Sequence, residues 1–234
     1  MGKIVGMSRN IKLEWLDKTA ELVREYTDEQ KIKEQLNEYL AFYISSPTNL
    51  RKTREILLNI WVRNKNFNIK KIANECVNSG KESNRFVAHW CMMLTSYQIF
   101  ADISIIIGSL YDKQYQITTA KIKEKVFDKW GDRTTLLHSV DKIIQTLNNF
   151  HVIERVSTGK FDVMQTTVAS QEVMNLLVLT ILTLSDKLYM SYEEINQTHI
   201  FFPFEYYVDQ SIMQSDFFTH DNFGGEVVIS LRDM

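Results

Sequence analysis

Apolar positions recur with helical spacing over most of this chain. Lys12 to Tyr26 and Asp28 to Ile44 predict two helices separated by Thr27, and Thr27 with Gln30 has the form of a capping box. Ser46-Pro47 predicts an N-cap followed by proline at the first helical position. The helix it opens carries Leu50, Ile56, Leu57, Ile60 and Trp61 and ends near Asn64. Asn68 is placed to cap a shorter helix through Val77, closed by Gly80, and another helix runs from near Glu82 to about Leu94. Tyr97 to Leu110 is almost wholly apolar and is therefore expected at the centre of the core. Its one acid, Asp102, is assigned to an N-terminal turn or edge position rather than to catalysis.

The pattern is most distinctive from Gln116 to Val163. Ile117-Thr118-Thr119 opens a helical run with apolar positions at Ile122, Val126, Phe127 and Trp130, and Gly131 stops it. Leu136, Leu137, Val140, Ile143, Ile144 and Leu147 then share one face of a second helix. The period changes at Val152 to Val156 and Phe161 to Met164, which predict two short strands joined by the turn Ser157-Thr158-Gly159-Lys160. Helix, turn, helix and hairpin in this order predict a winged helix-turn-helix, a common unit for docking on DNA.

Beyond it, Val173 to Leu184 predicts a buried helix within 171–184, and Tyr192 to Gln197 a short one. Aromatic residues crowd the tail at Phe201, Phe202, Phe204, Tyr206, Tyr207, Phe217, Phe218 and Phe223, and Gly224-Gly225 precedes a strand-like Glu226 to Leu231. So many aromatics are incompatible with a disordered tail, so they either pack on the body or form a docking surface for another protein. The expected fold class is mainly α: a helical bundle with a winged helix-turn-helix and a short β-hairpin wing. The expected division is a helical N-terminal domain over 1–112, the winged unit over 113–168, and a C-terminal helix with an aromatic, acidic tail packed on the body over 169–234.

Composition agrees with helices, since 8 Gly and 2 Pro are too few for the many turns of a sandwich or barrel. The net charge of −2 conceals a polarity along the chain. Residues 1–167 hold 25 Lys/Arg against 19 Asp/Glu, whereas 168–234 hold 2 against 10. A polyanion would therefore meet the first two-thirds of the chain. Cys76 and Cys91 lack metal-ligand spacing and are expected to be buried, reduced thiols. The longest apolar run is too short for a membrane span, and there is no apolar leader, so a soluble, cytoplasmic protein without a membrane partner is expected.

Catalytic signatures do not emerge. His89, His138, His151, His199 and His220 form no His-x-x-x-His pair and have no cysteine partner at ligand spacing, and His220-Asp221 is assigned to a turn before Gly224-Gly225. Glu193-Glu194 begins a helix, where negative charge is favourable. There is no phosphate-cradling glycine loop and no nucleophile elbow, so the chain reads as a non-enzyme with no cofactor and no metal. The candidate chemistry is instead contact with double-stranded DNA. In the second helix of the winged unit, Arg133, Thr134, Thr135, His138, Ser139 and Lys142 lie off the apolar stripe, where they would face a major groove. Lys160 at the hairpin tip would reach a phosphate or the minor groove. A second basic feature lies between residues 50 and 71, where Arg51, Lys52, Arg54, Arg63, Lys65, Lys70 and Lys71 are opposed by Glu55 alone. Arg51 and Arg54 are one helical turn apart, and 68–94 has the outline of a second, looser helix-turn-helix. The alternatives are a winged unit that docks on protein instead of DNA, and a transcriptional regulator.

Three blocks of the chain stand out together. The first is Ser46-Pro47-Thr48-Asn49-Leu50-Arg51-Lys52-Thr53 with Arg54-Glu55-Ile56-Leu57. The second is Ile99-Phe100-Ala101-Asp102-Ile103. The third is Ser139 to Leu147 leading into Phe150-His151-Val152-Ile153-Glu154. They span about residues 46 to 156, and in this order they resemble the BrxA family of accessory proteins from BREX bacteriophage-exclusion systems. The resemblance implies a helical protein with an antitermination-factor-like bundle and a winged helix. It also implies binding of duplex DNA without catalysis, alongside other defence-system proteins. The chain departs from the family pattern at both ends, in a longer helical lead and an aromatic, acidic tail, and it is less basic than a dedicated DNA binder.

Overall fold

The computed structural model describes residues 6–210 and 216–232, so parts of the N-terminal lead and of the expected tail (1–5, 211–215 and 233–234) lie outside the described residues. The described residues form ten α-helices and a few small sheets. Helices α1 (Leu13–Glu25), α2 (Glu29–Ala41) and α3 (Pro47–Trp61) pack on one another. The cap of α2 is Asp28, whose carboxylate accepts from the Gln30 N–H at 3.0 Å, in place of the expected Thr27 box. Ser46 and Pro47 start α3 as expected, with Ser46 Oγ accepting from the Asn49 N–H. Helix α4 (Phe67–Asn78) begins after Asn66, two residues before the expected cap at Asn68, and packs closely on α5 (Glu82–Ser96). Both α5 and α6 (Gln98–Asp112) are strongly apolar, and they meet at a 117° bend. No single helix among the described residues is long and apolar enough to cross a membrane.

The strand β1 (Ile117–Thr118) follows, then α7 (Thr119–Trp130), α8 (Thr134–Asn149), β2 (Ile153–Ser157) and β3 (Lys160–Val163). These strands form an antiparallel sheet in the order β1-β3-β2. Ile117 and Thr118 are thus a strand facing Phe161 and Lys160, not the opening of a helix. Helix α6 packs on α5 and also on α7 and β1, so the core runs continuously from the first helices into this unit.

The rest of the chain folds back. Strand β4 (Thr166–Thr167) leads into α9 (Gln171–Leu184), which is buried from Val173 to Leu182 except at Asn175 and lies on α4 and α5. After β5 (Met190–Ser191), helix α10 (Tyr192–Asn196) is started by a capping box of Ser191 and Glu194. A 3₁₀ turn (His199–Phe201) then crosses α6, β6 (Phe204–Glu205) runs parallel to β4, and β7 (Phe218–Phe223) forms a hairpin with β8 (Glu226–Leu231). Phe201, Phe202, Phe204 and Phe218 are buried against the body. Trp90 is the hub, with edge-on contacts to Phe86, Phe100, Phe202 and Phe204 and an Nε1–H donated to the Ile200 carbonyl at 3.1 Å. Tyr207 and Phe223 stay exposed. His220 and Asp221 lie in β7 rather than in a turn, because Gly224-Gly225 alone makes the reversal.

Candidate nucleic-acid interface

Gly131 ends α7 with φ +76°, a conformation that L side chains resist, and turns the chain sharply into α8. Arg133 is the N-cap of α8, and its guanidinium donates to the Trp130 carbonyl at 3.0 Å, closing the end of α7. Leu136, Val140, Ile143, Ile144 and Leu147 bury one stripe of α8. Thr134, Thr135 and His138 are exposed on the other side, and Lys142 is half-buried with Nζ donated to Gln145 at 2.9 Å. Ser139 departs from expectation. It lies one turn from both Leu136 and Ile143, on the flank of the apolar stripe, and only 3% of it is exposed, so it does not face outward. Asp141, the acid on this helix, is held by Lys123 at 2.7 Å.

The hairpin is fixed to the start of α7. The Thr119 N–H donates to the Gly159 carbonyl at 3.0 Å, and Lys160 stands opposite Thr118 with its side chain exposed. Arg133, Thr134, Thr135, His138 and Lys142 therefore belong to one helix, and Lys160 stands beside the helix before it. Arg155, exposed on β2, is a further cation that the sequence reading passed over. Its signal was weak, because a lone arginine in a short strand has no pattern of its own.

Asp102 positions the turn. It is 2% exposed rather than at an edge, and its carboxylate accepts from Trp130 Nε1 at 2.7 Å, Lys129 Nζ at 2.8 Å and Gln98 Nε2 at 3.0 Å. A buried carboxylate with three donors is well satisfied. It ties the last residues of α7, immediately before Gly131, to α6.

The basic segment at 50–71 divides into two groups. Arg54 donates to Glu55 at 2.8 Å and to Asn37, and Arg63 bridges Glu29 and Glu55. Hydrogen bonding to Glu29 raises the Arg63 pKa, while burial of Glu55 is outweighed by Arg54 and Arg63, which hold its carboxyl below the usual range. Lys70 donates to the Val62 carbonyl, and burial lowers its pKa. These three cations are committed to the fold. Arg51, Lys52, Lys65 and Lys71 are exposed and make no ion pair among the described residues. Helix α5 is buried from Val87 to Leu94, so the α4–α5 pair offers no second helix free to enter a groove.

The histidine with the most distinctive surroundings lies away from this face. His89 is 1% exposed, accepts from Trp61 Nε1 at Nδ1 (3.2 Å) and donates from Nε2 to Asp17 (2.9 Å), which fixes the neutral tautomer. Burial lowers its pKa, only partly offset by Asp17, and Arg85 on the same carboxylate lowers it further. An unfolded histidine gains a proton near pH 6.5, whereas the folded one refuses it. Stability from this group is therefore complete above about pH 6.5 and falls as pH drops below it, by up to about 1.4 kcal/mol per pH unit. Urea unfolding at pH 7.5 and 5.5 is expected to show this loss, and His89→Asn to reduce it. Equal pH slopes in the two proteins would rule out His89 as the source. Cys76 and Cys91 are buried and unpaired, and burial pushes the Cys76 thiol up to about 12. Among the described residues, no group of three His, Cys, Asp or Glu side chains is arranged to hold a metal ion.

No family model, curated protein or solved structure matches this chain.

Proposed function

We propose that this chain is a non-catalytic, double-stranded DNA-binding accessory protein, acting in the cytoplasm alongside other proteins of a BREX-type anti-phage defence system. In this reading, residues 98–163 are a winged helix-turn-helix. Helix α6 is its first helix, β1 its first strand, α7 and α8 the helix-turn-helix pair, and β2–β3 the wing. The observation that carries the reading is the element order helix, strand, helix, helix, hairpin with sheet order β1-β3-β2, combined with a polar outer face on α8. The BrxA-like blocks add support, since the first opens α3 and the third covers α8 from Ser139 into β2.

Thr134, Thr135 and His138 face the groove in this reading, while Arg133, Lys142 and Lys160 contact phosphates. Binding is expected to tolerate any sequence. Part of the Arg133 fork is already engaged with Trp130, and Ser139 is removed from the reading face. Alanine at Arg133, Lys142 or Lys160 should weaken binding to unrelated duplexes alike in gel shifts, with the log–log salt slope falling by roughly 0.9 for each phosphate no longer neutralised. Lys142→Ala and Lys160→Ala should change folding stability by less than about 0.5 kcal/mol. Arg133→Ala should cost about 1 kcal/mol, because the Trp130 carbonyl is deprived of its donor.

A protein-docking role for the same unit is the second reading. It is favoured by the modest charge of α8, which carries Asp141 beside Lys142, and by exposed Leu188, Tyr189 and Phe223 in the acidic C-terminal region. Undiminished duplex binding in all three variants, with folding intact, would move the assignment to this alternative.

A further inference from the structure

The N-terminal segment 6–12 carries chemistry that no local pattern announces. Met7 and Ile11 are fully buried, so the segment is anchored rather than loose. The Ile11 N–H donates to Thr146 Oγ1 at 2.9 Å, and Asn149 Nδ2 donates to the Ile11 carbonyl at 3.4 Å. Thr146 Oγ1 in turn donates to the Lys142 carbonyl, which puts the strap on α8 one turn beyond Lys142. Two residues earlier, Arg9 Nε donates to Asn49 Oδ1 at 3.1 Å in the first turn of α3. Two residues of chain span at most about 7 Å. The strap thus links the N-terminal end of α3 to α8 through the Arg9–Asn49 and Ile11–Thr146 bonds. The neighbours of Asn49 are Arg51 and Lys52, both exposed and without an acidic partner among the described residues, whereas Arg54 and Arg63 are consumed by Glu55 and Glu29.

We infer that Arg9, Arg51 and Lys52, brought to α8 by the N-terminal strap, form a second phosphate-binding patch that engages the same DNA duplex as α8. This rests on the duplex-binding reading above and extends the footprint beyond the helix-turn-helix unit. The dimensions fit. From Arg133 to Thr146, where the strap is bonded, is about 20 Å along α8, which lies within one duplex turn of roughly 34 Å. Charge complementarity selects a polyphosphate as occupant, because Arg51 and Lys52 are exposed, Arg9 is half-buried with its guanidinium bonded to Asn49 Oδ1 and the Ser8 carbonyl, and none of the three has a carboxylate opposite it among the described residues. Neutral side chains dominate α8 itself, so the patch supplies charge that the groove-facing helix lacks.

The test is a salt titration of affinity for a 24-base-pair random duplex, using the intact chain, with Arg9→Gln, Arg51→Gln and Lys52→Gln combined. Circular dichroism and urea unfolding control for removal of the Arg9–Asn49 bond. The expected result is a fall of roughly 2 to 3 in the log–log slope, with wild type binding one duplex per chain. An unchanged slope, with Lys142→Ala and Lys160→Ala still weakening binding, would overturn the second patch and leave the duplex-binding reading standing. Two duplexes bound per wild-type chain would also overturn it, since the patches would then be separate sites. A wild-type chain that binds no duplex would overturn both.

Discussion

Gly108→Ala is expected to destabilise the protein by about 1–2 kcal/mol, although alanine is the better helix former. In an exposed helix interior the change would gain about 1 kcal/mol. Here the 3₁₀ turn at His199–Phe201 lies across α6, and a Cβ on Gly108 would stand 2.3 Å from the His199 carbonyl oxygen and 2.9 Å from its Cβ. The obstruction is backbone, so it cannot swing aside as a flexible side chain would. Relief requires lifting the turn that carries Ile200, Phe201 and Phe202 into the core and supplies the carbonyl bonded by Trp90. Overpacking of this kind costs about 1–3 kcal/mol, and it has to outweigh the helix-propensity gain. Chemical denaturation should show the loss, and limited proteolysis should reach residues 198–206 faster than in the wild type. A variant as stable as the wild type, with unchanged proteolysis, would show that the tail does not rest on α6 in this way.

Asp102→Ala should have a comparable effect on the other side of the same helix. The change removes the carboxylate that accepts from Trp130 Nε1 at 2.7 Å, a buried bond between α6 and the end of α7. Losing the acceptor of a buried donor costs about 1–3 kcal/mol. Lys129 is half exposed and returns to water, so the larger penalty for stranding a buried charge does not apply. A total of about 2–3 kcal/mol is expected in urea unfolding, with Asp102→Asn recovering part of it because one carbonyl still faces the indole. A loss below about 0.5 kcal/mol for Asp102→Ala would mean that Asp102 does not hold the end of α7.

These two residues also show what the sequence could and could not reveal. Helices announced by local chemistry were legible. Ser46-Pro47 started α3, Gly131 stopped α7, and the apolar spacing from Leu136 to Leu147 gave the buried stripe of α8. The strand β1 was not legible, because it is two residues long and exists only through pairing with Phe161 and Lys160, more than forty residues later. Asp102 read as an edge acid because its partners Lys129 and Trp130 come from another helix. The basic run at 50–71 looked uniform because Glu29, which takes Arg63, lies on α2. Ser139 was assigned outward by its chemistry, whereas its position on the flank of a broad apolar stripe decided its burial. Arg9 gave no signal at all, since its significance lies in the strap that carries it to Asn49.

The coarse fold was therefore readable from periodicity and caps, whereas the candidate interface depended on which charges the tertiary structure consumes. Of the residues singled out at the start, Arg54 and Arg63 are committed to ion pairs, Lys70 to the Val62 carbonyl, and Ser139 is buried. Arg51, Lys52, Arg133, Thr134, Thr135, His138 and Lys160 remain exposed, and Lys142 is half-buried.

The central proposal is that α8 and the neighbouring hairpin meet duplex DNA, and amide hydrogen exchange on adding a random duplex at low salt tests it most directly. The expected result is slower exchange in the first two turns of α8 and at the hairpin tip over 157–160, reversed by high salt. Binding that leaves both segments unchanged, or a duplex that produces no protection anywhere in the chain, would contradict it.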